Sequence, residues 1–239
     1  MVAYRYFSRR GGVSSGVFSS LNVSFGTGDR VDNIERNRRR IKQEMGIERL
    51  LSGDQVHGSR IYVDDGREIA DIEADGCDGL ITDAAGTGLM IQQADCQAVL
   101  LYDRDHQAIG AAHCGWRGSV ANIIGTIVGE MVHHYGTRPS LLQAFISPSL
   151  GPCCAEFVNY RSELPESFHR FQAESRYFDF WRISAMQLMQ AGVREDSIHL
   201  PDTCTSCSDD YFSYRRAVRS GNPVCGRHAS VICLEPTSS

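Results

Sequence analysis

Three residues with reactive side chains, His57, Cys96 and His113, lie far apart in the sequence. One thiolate and two imidazoles form a ligand set that suits zinc and, less strongly, copper. Three protein ligands would leave a fourth position open for a reactant, as a catalytic zinc site requires. The same atoms suit a second chemistry without metal, with Cys96 as nucleophile, His113 as its base, and Asp95 or another acid to orient the ring. The two hypotheses exclude one another, since a metal-bound thiolate is not free to attack.

The segments around Cys96 and His113 predict how these two residues meet. Apolar residues 98–102 and 108–112 flank the polar stretch 103–106, a pattern typical of a β-hairpin. Antiparallel strands place the start of one strand beside the end of the next. The hairpin would therefore bring Cys96 and His113 to the same end of the pair.

A helix is predicted soon after His113. Apolar residues recur at helical spacing over residues 120–132, and Ser119 is a suitable N-cap for this helix. The open amide groups of its first turn would point into the space beside His113, where Arg117 adds a cation. Such a place suits an anion.

The rest of the sequence predicts the fold class. Apolar patterns and turn residues predict strands at residues 4–8, 80–82, 88–92, 141–147, 197–200 and 229–234, and helices at residues 32–46, 162–173 and 181–191. Strands and helices alternate irregularly, which favours an α+β fold over a regular doubly wound one. We expect a layered α/β/β/α sandwich with mixed sheets, in a single domain over residues 1–239.

The composition limits the class of protein. A chain of 239 residues with 42% hydrophobic content can bury a substantial core. Its net charge of −5 argues against a general nucleic-acid binder. No apolar run is long enough to cross a bilayer and residues 1–12 do not resemble a secretion signal, so a cytoplasmic location without a membrane partner is expected.

Nine cysteines, an odd number, favour free thiols or metal ligands over disulfides in such a chain. Cys204 and Cys207 form a C-x2-C motif which, with Cys225, could belong to a second zinc site or a redox pair. One such motif without a matching pair is a weak signal. The adjacent Cys153 and Cys154 are interpreted as a tight turn with one thiol buried.

A series of sequence blocks in a fixed order resembles the YfiH-like family, once described as multicopper polyphenol oxidases. The blocks are SRRGGVSSGVFSSLNV (8–23), Asn37-Arg38, DQVHG (54–58), ADGCDGLIT (74–82), ADC (94–96), HCGWRG (113–118), SPSLGPCC (147–154) and YFSYRR (211–216). The resemblance implies that His57, Cys96 and His113 bind one zinc ion. The sequence departs from the family pattern at Cys114, where Ala is usual, and at Gly26, where His is frequent.

The resemblance also implies a chemistry. The family is credited with phosphorolysis of adenosine, inosine, guanosine and methylthioadenosine, and with deamination of adenosine. Laccase-like oxidation and the removal of wrong amino acids from peptidoglycan precursors are also attributed to it. Multicopper oxidation fits this sequence least, because its eight histidines form no H-x-H series. A cysteine amidase that uses Cys96 and His113 is the alternative enzyme.

Together these observations predict a zinc enzyme, with copper as the alternative metal, that acts on a purine nucleoside and phosphate. The sequence names no protein partner. The predicted catalytic residues are Asp95, Cys96, His113 and Arg117. The predicted substrate-binding residues are Arg9, Asn22, Gln55, Trp116, Tyr214 and Arg215.

Overall fold

The computed structural model describes residues 2–235. Within them the strands are β1 (Val2–Tyr6), β2 (Arg49–Gly53), β3 (Ile61–Val63), β4 (Ile72–Ala74), β5 (Gly79–Thr82), β6 (Thr87–Gln93), β7 (Gln97–Asp103), β8 (Ala108–Cys114), β9 (Gln143–Ile146), β10 (Gln172–Glu174), β11 (Tyr177–Phe178), β12 (Ile198–His199) and β13 (His228–Leu234). The α-helices are α1 (Val31–Met45), α2 (Trp116–Val120), α3 (Ile123–Tyr135), α4 (Tyr160–Glu163), α5 (Glu166–His169), α6 (Phe180–Gln190) and α7 (Tyr214–Arg219).

Two mixed sheets form the centre of the fold. The first has the strand order β1-β13-β6-β2-β4, and the second has the order β12-β9-β7-β8-β5-β3. Their inner faces share one apolar cluster, in which Leu89 and Ile232 of the first sheet pack with Leu100 and Ile109 of the second. Alternate residues of a strand point to opposite faces, so each of these strands has a second apolar face to bury.

Helices cover both outer faces. Met90 and Val231 point outward from the first sheet and pack against Ile41 of α1. On the second sheet, Val99 packs in a cluster that includes Ile127 of α3 and residues of α6. The predicted α+β fold, an α/β/β/α sandwich with mixed sheets, is thereby confirmed.

The predicted hairpin around the reactive residues is confirmed. Strands β7 and β8 pair antiparallel, with Ala98 opposite His113 in the register. Cys96, which directly precedes β7, is therefore at the same end of the pair as His113. Helix α1 also agrees with its prediction, and it ends at Met45, followed by Gly46, whose φ of +66° suits glycine.

Two helix predictions are wrong in detail. The predicted helix capped by Ser119 is two helices, because Asn122 adopts a left-handed conformation and its side chain caps α3 by accepting a hydrogen bond from the Gly125 amide. Ser119 lies inside the short helix α2. The predicted helix over residues 162–173 is broken into α4, α5 and β10, because Pro165 disfavours helical geometry in the preceding residue.

None of the helices in residues 2–235 is long and apolar enough to cross a lipid bilayer.

Candidate active site

His57, Cys96 and His113 meet at one end of the second sheet. His57 lies on the loop after β2, Cys96 on the turn before β7, and His113 in β8. Their ligand atoms all lie within 4.8 Å of one another, and Cys96 Sγ is 4.0 Å from His57 Nε2. His113 is buried, Cys96 is partly buried and His57 is exposed. The cluster therefore has a closed side toward the core and an open side toward solvent.

Asp78 fixes the orientation of this cluster. Its carboxylate is buried and accepts a hydrogen bond from His113 Nδ1 at 2.8 Å. An ionised carboxylate can only accept, so the proton is on Nδ1 and the Nε2 of His113 is left for a ligand or a reactant. The same carboxylate accepts hydrogen bonds from the amides of His57 at 2.9 Å and Gly58 at 2.7 Å. One side chain thus positions both histidines.

The backbone near the cluster leaves little freedom. His57 has a φ of +62°, a conformation that the hydrogen bond to Asp78 helps to hold. Gly115 lies so close to the cluster that an added Cβ would be 2.7 Å from His57 Cδ2 and 3.4 Å from Cys96 Sγ. Glycine is therefore required at residue 115, because any side chain there would occupy the centre of the cluster.

The electrostatics of the cluster favour a thiolate. Burial disfavours the charged form of Cys96, but the adjacent His113 outweighs this effect and lowers the pKa of Cys96 to about 6. Burial likewise disfavours the imidazolium of His113, but the Cys96 thiolate and Asp78 raise the pKa of His113 to about 9. Burial alone would raise the pKa of Asp78, whereas the hydrogen bonds that it accepts lower it. Without metal, Cys96 and His113 would form an ion pair near neutral pH.

The residues present fit a metal ion. Two imidazoles and one thiolate of low pKa are ligands that zinc and copper accept, and all three ligand atoms converge within one ion's reach. The Asp78 hydrogen bond to His113 is the support that metal-bound histidines usually have. The glycine at residue 115 keeps the space between the three side chains clear.

The cluster forms part of the wall of a cleft of about 880 Å³. That volume lies in the range typical of sites for small molecules. The cleft wall combines cationic and aromatic side chains. They are Arg117, Arg215, Arg227, Trp116, Phe157, Phe180 and Tyr214.

Four predicted substrate-binding residues lie in this wall. The Arg117 guanidinium lies over the Trp116 ring, 4.4 Å from its centroid. Tyr214 is largely exposed, and the Arg215 guanidinium donates to the carbonyl of Glu156 at 3.1 Å. Gln55 pairs both ends of its amide with the backbone of Gln92, which leaves this side chain a structural role in the wall.

The helix that follows His113 is shorter than the one predicted to bind an anion at its first turn. Helix α2 has only five residues, and its N-cap Gly115 provides no side-chain cap. The positive charge of the cleft therefore comes from the guanidinium groups of Arg117, Arg215 and Arg227. Of these, Arg227 was not identified in the sequence.

Asp95 lies in the cleft wall, but its carboxylate is engaged elsewhere. It accepts hydrogen bonds from Thr205 Oγ1 at 2.7 Å and from the Arg215 amide at 2.6 Å. The acid that orients the His113 ring is Asp78. Asp78 is part of the ADGCDGLIT block, but nothing in that block marks it as the partner of a histidine 35 residues later.

Two predicted substrate-binding residues do not reach the cleft. Arg9 lines a separate pocket of about 190 Å³, where its guanidinium covers the Phe212 ring at 4.7 Å. Asn22 is buried, and its Oδ1 accepts a hydrogen bond from the Arg227 amide at 2.8 Å. Asn22 thus supports a residue of the cleft from behind. Both were predicted from sequence blocks that do not show which side chains point inward.

Comparisons with known proteins identify relatives of this chain. The family described as multi-copper polyphenol oxidoreductase laccase matches residues 3–235. A protein of Geobacillus stearothermophilus named purine nucleoside phosphorylase YlmD is 34% identical over 231 residues, which cover 87% of this chain and 83% of that protein. The purine nucleoside phosphorylase YfiH of Escherichia coli is 30% identical over 239 residues, which cover 95% and 91% of the two chains.

Solved structures show the same fold. The crystal structure of YlmD from Geobacillus stearothermophilus superposes with a TM-score of 0.89 at 28% identity, and the alignment covers 98% of this chain and 92% of that one. The crystal structure of the Bacillus licheniformis hypothetical protein YfiH gives a TM-score of 0.87 at 25% identity, with 98% and 93% covered.

Proposed function

The chain belongs to the multi-copper polyphenol oxidoreductase laccase family, and from this premise we propose that it is a metal-dependent purine nucleoside phosphorylase that also deaminates adenosine. The observation that carries the proposal is the convergence of His57, Cys96 and His113 at the wall of a cleft large enough for a nucleoside. Several relatives are named purine nucleoside phosphorylase, which supports the phosphorolysis part of the proposal.

In this proposal His57, Cys96 and His113 hold a zinc ion, with copper as the alternative metal. A bound zinc ion would supply a Lewis acid that polarises a substrate oxygen or activates water. Asp78 keeps His113 in the tautomer that presents Nε2. The buried side of the cluster excludes water from behind, so that substrate approaches only from the cleft.

The chain's own residues also suit the substrates of phosphorolysis. In that reaction a phosphate oxygen forms a bond to the anomeric carbon of the ribose, the bond to the purine nitrogen breaks, and the base leaves with a proton. Arg117, Arg215 and Arg227 would bind the phosphate, since guanidinium groups donate paired hydrogen bonds to its oxygens. Trp116 and Tyr214 would face the base.

Deamination of adenosine would use the same cleft. Water replaces the exocyclic amine of the purine, and the leaving ammonia needs a proton. Carboxylates in the cleft wall, Glu156 and Glu163 among them, are candidates to deliver that proton. Asp95 is the weaker candidate, because both of its oxygens already accept hydrogen bonds.

One observation favours a second candidate, a cysteine amidase. Cys96, His113 and Asp78 are arranged as nucleophile, base and orienting acid, and the pKa of Cys96, lowered to about 6, would make it a thiolate at neutral pH. His57 has no necessary role in that mechanism. The two candidates therefore predict opposite effects of a substitution at His57.

The first test is product analysis with the purified protein. Inosine should give hypoxanthine and ribose 1-phosphate only when phosphate is present, and adenosine should also give inosine. Turnover of inosine to free ribose without phosphate would contradict phosphorolysis. Bound copper with oxidation of a phenol, and no nucleoside product, would favour the laccase chemistry that the family description names.

The second test uses His57→Ala, with the exposed His133 on α3 changed to Ala as the matched control. Under our proposal His57→Ala loses both the metal of this cluster and the nucleoside turnover, whereas His133→Ala keeps both. An amidase would keep its activity in His57→Ala. Acylation of Cys96 by an electrophilic amide, in active metal-free protein, would also favour the amidase.

A further inference from the structure

A second cluster of sulfur atoms lies outside the triad. Cys153 and Cys154 come from the turn after β9, and Cys204 and Cys207 come from the loop before α7. All four Sγ atoms lie within 4.8 Å of one another. The Sγ atom of Cys207 is 3.7 Å from that of Cys153 and 3.5 Å from that of Cys154. Two chain segments separated by about fifty residues thus present their thiols to a common point.

The spacing of these sulfur atoms fits a single ion. A zinc–sulfur bond of about 2.3 Å gives a tetrahedron with edges of about 3.8 Å. The contacts of Cys207, at 3.5 and 3.7 Å, are close to that edge length. We propose that Cys153, Cys154, Cys204 and Cys207 bind one zinc ion as a closed tetrathiolate site whose role is structural.

The backbone of both segments is shaped for this convergence. The Cys154 amide bonds to the Gly151 carbonyl at 2.9 Å, and the Cys207 amide bonds to the Cys204 carbonyl at 3.2 Å, so each pair of cysteines is carried on a tight turn. The Gly151 amide donates to Cys204 Sγ at 3.3 Å. Such amide donors stabilise a thiolate ligand.

Gly151 is also needed for the close approach of the two turns. An added Cβ at this residue would lie 3.0 Å from Cys204 Cβ and 3.1 Å from the Trp181 ring. The turns are further joined by the bridge between Ser149 and Cys204 and by the Thr205 amide, which donates to the Ser149 carbonyl at 2.9 Å. The sulfur atoms are therefore held together by contacts that do not depend on them.

Two arginines contact the cluster or the loop that carries it. Arg219 Nη1 lies 3.9 Å from Cys154 Sγ. Arg216 donates to the carbonyl oxygens of Thr205, Ser206 and Ser208, and so fastens the loop that carries Cys204 and Cys207. A tetrathiolate zinc site has a net charge of −2, and the Arg219 guanidinium beside Cys154 would offset part of it.

Two other uses of the cluster fit less well. A disulfide would require one pair of sulfur atoms to close to about 2.05 Å and would leave the other two thiols without a role. An iron–sulfur cluster binds its cysteines through several irons and bridging sulfides, which needs a wider ring of sulfur atoms than one that lies within 4.8 Å. Cys225, which the sequence grouped with Cys204 and Cys207, lies instead in an apolar cluster with Phe212.

The proposed ion would stabilise one wall of the cleft. Leu150, Ala155 and Glu156, which flank Cys153 and Cys154, line the cleft. On the other segment, Thr205 bonds to Asp95, the neighbour of Cys96. Zinc at the four cysteines would therefore tie two loops of the cleft wall together without taking part in the reaction.

The experiment measures metal content of the full chain purified with zinc. Wild type should contain two zinc ions per chain. Cys96→Ala should contain one, because the triad is lost and the tetrathiolate site remains. The double variant Cys204→Ser, Cys207→Ser should contain one zinc, and Cys225→Ala, the matched cysteine control, should contain two.

Cobalt substitution keeps the test valid if the double variant does not fold. Cobalt(II) bound to Cys96→Ala should show strong sulfur-to-cobalt charge-transfer absorption, since the triad then has no sulfur. X-ray absorption of zinc-loaded Cys96→Ala should show four sulfur neighbours at about 2.3 Å. No metal in Cys96→Ala would overturn the proposal. For wild type, an intact mass two daltons low with seven free thiols, or iron with acid-labile sulfide, would overturn it equally.

Discussion

The two cysteine-containing clusters of residues 2–235 differ in ligand number and in what lies in front of them. The triad of His57, Cys96 and His113 offers three ligands and faces a cleft. The cluster of Cys153, Cys154, Cys204 and Cys207 offers four ligands of one kind. Three ligands leave a position for chemistry, whereas four sulfur ligands complete a tetrahedron. The comparison teaches that the number of ligands, and not the presence of cysteine, separates the two proposed roles.

The largest expected effect comes from removing the sulfur of the triad. Cys96→Ala should lower nucleoside turnover by more than about 100-fold. Removing a group that only supports a metal ligand costs up to about 100-fold, and removing the ligand itself should cost more. Cys207→Ala should instead shorten the half-life of activity on heating, because it weakens a structural site. Turnover assays at 25 °C and after graded heating measure both effects. Equal losses of turnover at 25 °C in the two variants would remove the distinction between the clusters.

The next effect tests the support of the triad. Asp78→Asn keeps an oxygen that can accept from His113 Nδ1, but its amide group cannot accept from the amides of Val56 and Gly58. We expect metal affinity at the triad to fall about 10–100-fold, with no change at the four cysteines. Competition with a zinc chelator measures the metal affinity of Asp78→Asn, with wild type and Asp103→Asn as the controls. Asp103 is a buried acid that supports His106 in a remote turn.

The sequence predicted the triad and its hairpin better than the four-cysteine cluster, for a physical reason. The alternating pattern of β7 and β8 fixes a register, and the register alone brings Cys96 beside His113. His57 was a candidate ligand by its residue type alone, because its loop has no such pattern, and only the resemblance implied that it joins the other two. The cysteines at 153–154 and 204–207 meet through loop contacts such as the Ser149–Cys204 bridge. Such contacts follow no repeating sequence pattern, so the sequence does not predict them.

The same limit explains the other differences. Asp78 directly precedes β5, where an acid is equally suited to a turn or to a buried hydrogen bond. Arg9 and Asn22 belong to an irregular segment, so its sequence does not show which side chains point to the cleft. The break in the helix at Pro165 is predictable from the sequence, since the residue before proline avoids the helical conformation.

A second buried histidine, His228, sharpens the comparison by its contrast with His113. His228 is buried with no hydrogen-bond partner for either ring nitrogen, and it lies against the Tyr211 ring and near two arginines. Burial, together with Arg227 and Arg216, lowers the pKa of His228 to about 3. A histidine with an acid partner can thus be charged in this fold, whereas one without a partner must stay neutral.

This contrast predicts a dependence of stability on pH. The unfolded state takes up a proton at His228 near pH 6.5, whereas the folded state does so only near pH 3. The stability that the neutral, buried His228 allows is therefore fully present above pH 6.5, and the free energy of unfolding decreases as pH falls from 6.5 toward 3. The slope reaches about 1.4 kcal/mol per pH unit. His228→Leu should flatten the decrease in urea-denaturation free energy between pH 6.5 and 4, while His133→Leu, an exposed control, should leave it unchanged. Parallel curves for wild type and His228→Leu would contradict the prediction.

The smallest effect concerns the contact between the two regions. Thr205 lies between Cys204 and Cys207, is buried, and donates from Oγ1 to the Asp95 carboxylate at 2.7 Å. Thr205→Val keeps the shape but removes a hydrogen bond to a charged group, so we expect a loss of about 1.5–3 kcal/mol in unfolding free energy with both metal sites still filled. Thr203→Val, whose hydroxyl bonds only locally to Asp202, is the matched control and should change stability little. Loss of zinc from the triad in Thr205→Val would contradict this expectation. It would mean that the two regions are coupled, because a change in the loop of the four cysteines would then control metal binding at the triad.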